Sequence, residues 1–245
     1  LWEPLEKQFI VESGTLDEER FSKFFRDYLM ADGRYIQPKA TFASFEARYE
    51  ATGFSPHALA RSLMEGASDY AVISGHEADS DEAVDAALKL LNALESSTTY
   101  PLLLSLFQRR SRGTISSPQL AVCIDMLRGF ILRRFIVGES SRGYGPMFLR
   151  ALSKETGDTI KTLEDYLLDR GWPDNHQFES AFAVFPLYQR AYAREVLQGL
   201  ERARGHKEPA NLAPAQIEHI MPQTLNDSWR TSLGAEAERI QADWL

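Results

Sequence analysis

Apolar residues recur along most of this chain at spacings of three and four, the period of one face of an α-helix. Leu16, Phe21, Phe24, Phe25, Tyr28 and Leu29 form one such stripe. Thr15 and Glu18 stand at capping-box spacing, in which each residue satisfies an orphaned amide at a helix start. Ser55-Pro56 and Ser117-Pro118 pair an N-cap hydroxyl with a first-turn proline, and each opens a long periodic segment. The pattern predicts helices over about 16–31, 38–51, 56–73, 80–95, 101–110, 117–137, 146–153, 159–169, 175–183 and 186–204. Alternation at period two, the sign of a half-buried strand, is almost absent. Residues 1–204 are therefore expected to form an all-helical domain, and the fold to be mainly α.

The segment "SPQLAVCIDMLRGFILRRFIV", 117–137, is apolar around most of its circumference. Leu120, Cys123, Ile124, Leu127, Phe130, Ile131 and Phe135 mark it as the central helix of a bundle. Cys123 is the only cysteine, so no internal disulfide can form, and a small core residue in a reducing cytoplasm is expected. The rhythm breaks at "GHKEPANLAP", 205–214, where two prolines and a glycine read as a linker. After it, Gln216 to Ile220 is a candidate short strand, Pro222 a turn, and "GAEAERIQADW" a return to helix. Residues 215–245 thus read as the start of another small domain.

Length and composition describe an ordinary globular chain: 245 residues, 44% hydrophobic and 25% charged. No run approaches the roughly 20 apolar residues of a membrane span, and "LWEPLEKQFI" has no signal-type pattern, so a cytoplasmic protein is expected. An initiator Met is lacking and no closing element follows "QADWL", as expected of an internal piece of a longer protein. The net charge of -8 argues against a protein that coats DNA, but it is unevenly spread. The balance is -9 over 1–99, +6 over 100–150 and -5 over 151–245, and every cation of the middle stretch is an arginine. Its planar fork of donors suits phosphate and carboxylate alike. Arg109, Arg110, Arg133 and Arg134 are the candidate nucleic-acid contacts. For Arg133 and Arg134 the bland reading stands beside this one, because cations near a helix C-terminus also complement its dipole. "SSRGYGPMF", 140–148, lacks the spacing of a phosphate-binding loop and reads as a connection.

The chemistry-bearing stretch is "AQIEHIMPQTL", 215–225, where Glu218 and His219 adjoin. Hydrolysis of a phosphodiester needs water deprotonated near phosphorus and charge neutralised on the phosphoryl and leaving oxygens. An imidazole can do the first and a divalent cation the rest. Neighbours on a strand point to opposite faces, so the pair converges only where a strand breaks, and Pro222 fits such a break. By composition alone a Glu-His dipeptide is more often a surface pair. His57, His76, His176 and His206 have no partner at ligand or triad spacing. Trp172, Trp229 and Trp244 read as packing anchors rather than base-stacking platforms.

The string "IEHIMPQTLNDSW" resembles the first half of the HNH motif in the GmrSD-type, modification-dependent (type IV) restriction endonucleases. "LWEPLEKQF", "FFRDYLM", "FILRRFIVG" and "FPLYQRAYAREVLQGLE" occur in the order of that family's helical middle region. The resemblance implies a multi-helix bundle followed by the opening of a small ββα-metal (HNH) domain. It implies His219 as general base, Glu218 as a metal ligand, and Mg²⁺ or Mn²⁺ in the intact nuclease. The implied partner is modified DNA and the implied role defence against foreign DNA. Nucleotide would bind only to an N-terminal domain that this stretch lacks, and homo-oligomerisation stays open. The family's later Gly-Asn-Leu strand and last ligand helix are not found before Leu245, so the segment alone is expected to be inactive. The alternative is a non-catalytic helical interaction or scaffold module.

Overall fold

A computed structural model describes residues 3–11, 13–53, 55–153, 157–205, 211–212, 214–218 and 221–244, with backbone alone for Thr52, Asp243 and Trp244. The chain divides into two compact units, Leu1–Phe182 and Ala183–Leu245. The first contains α1 (Glu3–Lys7), α2 (Glu18–Met30), α3 (Thr41–Thr52), α4 (Pro56–Ile73) and α5 (Glu82–Asn92). It continues through α6 (Tyr100–Ser111), α7 (Ser117–Ile136), α8 (Tyr144–Leu149), α9 (Thr159–Asp169) and α10 (Asn175–Phe182). The second holds α11 (Ala193–Ala203), α12 (Asp227–Leu233) and α13 (Ala237–Trp244). Among the described residues there is no strand, only an isolated bridge between Ile10 and Leu16. The fold is mainly α. Gln216, Ile217 and Glu218 have no strand pairing, for a strand needs a ladder partner and the described residues offer none, while His219 and Ile220 lie outside them. No helix among the described residues is long and apolar enough to cross a membrane.

The α7 segment takes its predicted place at the centre, with α5, α6, α9 and α10 packed around it. Leu120, Cys123, Ile124, Leu127, Phe130 and Ile131 are fully buried. At its end Ile136 takes the core position and Phe135 is half-buried. The Phe130 ring meets Phe148 at 6.2 Å and Trp172 at 5.9 Å, both edge-on. Trp172 therefore anchors the loop before α10 against the central helix, as a packing residue would.

Two helix caps differ from expectation, and α11 starts at Ala193 rather than near 186. Asp17, not Thr15, caps α2: its carboxylate accepts from the Arg20 amide at 2.9 Å. The Thr15 hydroxyl instead meets Ser13 Oγ at 2.8 Å, because the bridge between Ile10 and Leu16 keeps residue 15 in a turn outside the helix. Ser116 caps α7 in a capping box with Gln119, which moves Ser117 into the first turn. Ser55 caps α4 as expected, accepting from the Ala58 amide at 3.2 Å.

Between α2 and α4 the packing is close enough to require a glycine. A Cβ built on Gly66 would sit 2.6 Å from Cδ2 of Tyr28. That ring cannot readily yield, since it is buried and its hydroxyl is 2.6 Å from Ser62 Oγ. Gly66→Ala, which in an open helix would stabilise, is expected here to cost about 1–3 kcal/mol in urea unfolding. A stabilised variant would show that the ring moves freely.

Asp27 lies in the same aromatic layer, 4% exposed, with the Tyr70 hydroxyl donating to it at 3.5 Å. Burial pushes its carboxyl up to about 7, against the pull of Lys23 and Arg26. The unfolded carboxyl ionises near its ordinary value of 3.8. The native state therefore holds a proton that the unfolded chain has released. This contribution is complete below about pH 4 and is lost as pH rises through about 7. Asp27→Asn keeps the shape and removes the ionisation. Its stability relative to wild type should rise by roughly 3–4 kcal/mol between pH 4 and pH 8, followed by urea unfolding across that range. A difference that does not change with pH would mean that the site is wetter than its packing indicates.

Candidate functional site

All four candidate arginines bind parts of their own unit, three of them through several acceptors each. Arg110, at the end of α6, grips Asp79 with both terminal nitrogens at 3.0 and 2.9 Å. The Asp79 side chain is 2% exposed, and the guanidinium also covers the Phe107 ring at 4.5 Å. Arg133 donates to the Pro173 carbonyl at 3.0 Å and to Asn175 Oδ1 at 2.7 Å, and lies over Phe178. Arg134 donates to the carbonyls of Arg170 and Gly171, both at 3.0 Å, and to Tyr144 and Glu139 at 3.2 Å. These forks tie the helix ends to loops, and the geometry at Arg133 and Arg134 favours the pairing reading over phosphate contact.

Arg109 is differently placed. It reaches Thr159 Oγ1 at 3.5 Å and faces a cavity of about 440 Å³ between α6 and the segment that follows α2. Burial holds its pKa below the usual arginine value, and the neighbouring charge of Arg112 adds to the effect. A second cavity, of about 370 Å³, lies between α3 and α4. Arg48, Gln108 and Arg112 border both. On its wall Asp69 is pushed up to about 6 by burial, with the charges of Asp79 and Glu65 adding to it and Arg110 opposing. Nothing in the spacing of the sequence announces this convergence, because Arg48 and Arg112 come from helices far apart in the chain. Only the concentration of arginine in 100–150 hints at it.

In the second unit, α12 and α13 pack together over buried Leu225 and Ala237. Asn226 caps α12, accepting from the Trp229 amide at 3.0 Å, and Arg230 pairs with Glu238 across the two helices. The Gln241 side chain donates to the carbonyls of Pro222 and Gln223 at 3.0 and 2.8 Å. The stretch just after the Glu-His pair is thus pinned to α13. Glu218 is exposed, and His219 lies outside the described residues.

The remaining candidates are quiet. His57 and His176 are exposed, and His206 lies outside the described residues. His76 Nδ1 is 2.9 Å from Ser74 Oγ, and partial burial lowers its pKa, with the Arg20 charge assisting. Burial pushes the Cys123 thiol up to about 11, which makes it a core residue and not a nucleophile. Trp229 is half-buried, and the Trp244 side chain is outside the described set. Among the described residues no three His, Cys, Asp or Glu side chains gather as a metal site.

Residues 172–245 match the family model described as GmrSD restriction endonucleases, C-terminal domain. No curated protein and no solved structure matches the chain.

Proposed function

We propose that the chain, whose residues 172–245 match the model of the GmrSD restriction endonuclease C-terminal domain, is part of a cytoplasmic, modification-dependent DNA endonuclease of the HNH type. The observation that carries this reading is that the family match spans the Glu218-His219 pair. The helical body is then the first unit, residues 1–182, and 215–245 is the opening of the nuclease domain.

In this reading His219 takes the proton of the attacking water, since a neutral imidazole offers one ring nitrogen as acceptor. Glu218 presents an exposed carboxylate, the hard oxygen donor that Mg²⁺ or Mn²⁺ prefers. One such oxygen fits the first ligand of a site and does not complete one. A cation bound there supplies neutralising charge for the phosphate and for the leaving oxygen. The anchoring of Pro222 and Gln223 by Gln241 supports the reading, since a base and a ligand act only when their backbone is held.

The test is nicking of modified plasmid DNA by the full-length protein in Mg²⁺ or Mn²⁺, wild type against His219→Ala. Equal nicking by the two would remove His219 from the reaction and leave a helical interaction module as the reading.

A further inference from the structure

The two cavities of the first unit differ in chemistry on either side of a shared wall. The chamber between α6 and the segment after α2 is lined by three arginines, Arg48, Arg109 and Arg112, against one carboxylate, Asp32. That carboxylate is engaged already, by Arg34 at 3.1 Å and Arg48 at 3.9 Å. The chamber between α3 and α4 carries the rings of Tyr28, Phe45 and Tyr49 together with the acceptors Glu65 and Asp69. Arg48, Gln108 and Arg112 face both sides.

We propose that this double cleft binds one phosphorylated nucleoside unit of a nucleic-acid strand, its phosphate among the three arginines and its base among the rings.

The helix dipole explains why cations stand at the end of α6, where Arg109 and Arg112 lie. It does not explain Arg48, which comes from the middle of α3 and enters the same chamber. Arg48 is held there, donating to the Leu29 carbonyl at 3.2 Å with its guanidinium 5.7 Å from the centre of the Tyr28 ring. Three guanidinium groups line a half-enclosed chamber with a single carboxylate among them, and burial, with the Arg112 charge adding to it, holds the Arg109 pKa down. A phosphate suits this chamber, because each guanidinium can bridge two of its oxygens. A base, in turn, offers a π-face for the rings and ring or amino N–H groups for the carboxylates. The volumes, about 440 and 370 Å³, suit a single unit and are too small for a duplex.

The choice of a strand over a free nucleotide rests on the nuclease reading; the shared chemistry of a nucleoside phosphate does not. Binding is therefore measured without catalysis, on the full-length His219→Ala protein in EDTA. The probe is a fluorescein-labelled single strand of about 12 nucleotides, read by anisotropy across a salt series. Arg112→Gln and Arg48→Gln are each expected to weaken binding about tenfold and to lower the salt slope by about 1. Arg142→Gln removes an exposed charge elsewhere in the unit and is expected to leave the affinity unchanged. Excess dAMP or dTMP is expected to displace the strand. If the strand does not bind while either nucleotide binds and Arg112→Gln and Arg48→Gln weaken that binding, the strand form is overturned and the cleft is a free-nucleotide site. Nucleotide binding that neither variant alters belongs elsewhere and overturns the proposal. Unchanged affinity in both cleft variants, folded by circular dichroism, overturns the proposal outright. So does an equal loss in Arg142→Gln, which would show diffuse charge attraction instead.

Discussion

His219→Ala should reduce metal-dependent nicking by the full-length protein by about 10²–10⁴-fold, the contribution of a positioned general base. The size follows from what remains. In the proposed mechanism, DNA binding and neutralisation of the phosphate by a cation do not involve the imidazole, so a residual rate above background is expected. A structural role for the same ring could also lower activity, and two further measurements separate them. Added imidazole should partly restore the His219→Ala rate if a proton acceptor is all that is missing, and should do nothing for a misfolded loop. Glu218→Ala should instead raise the metal concentration needed for half-maximal nicking, since it removes a ligand rather than the base. Nicking by His219→Ala at the wild-type rate, with the loop intact by near-UV circular dichroism, would end the nuclease reading of this segment.

The helical body was legible because its long elements carry their own period. Over 117–137 a nearly continuous apolar surface leaves one solution, a helix surrounded by others, and α7 takes it. Boundaries were less legible, since Asp17, Thr15, Ser116 and Ser117 are all acceptable caps and backbone geometry chooses among them. The helix α12 was missed for a different reason: Trp229 and Leu233 are too few apolar positions to set a period, and the Asn226 cap with packing on α13 supplies the rest. Short α1, held by buried Leu5, escaped in the same way. At the candidate site the Glu-His pair was visible only as a string, because a dipeptide carries no periodic signal and its family likeness lies in the words around it. Charge was legible as composition and illegible as geometry. An arginine-rich stretch announces forks that need acceptors, and whether these are carbonyls, carboxylates or phosphate depends on what the fold brings near. For Arg110, Arg133 and Arg134 it brings protein oxygen. For Arg48 and Arg109 it brings protein oxygen too, and with Arg112 a shared cavity.

Arg110→Ala should destabilise the first unit by about 3–5 kcal/mol, the cost of leaving a buried charge without its partner. Asp79 is the charge in question, its side chain 2% exposed and both of its oxygens taken by the guanidinium. One of those oxygens also accepts from the Asp81 amide at 2.9 Å, and Asp81 in turn caps α5. Loss of the arginine therefore strands a carboxylate and loosens the loop that starts α5, which lies along the central helix. Packing is lost as well, because the guanidinium covers Phe107. The paired change Arg110→Met with Asp79→Asn should recover at least half of the loss, since it removes the stranded charge and keeps most of the volume. Chemical unfolding of wild type, Arg110→Met, Asp79→Asn and the double variant closes a double-mutant cycle that reads the coupling directly. A cost below about 1 kcal/mol for Arg110→Ala, the value of an exposed ion pair, would show the carboxylate reaching water and would return Arg110 to the arginines available for DNA.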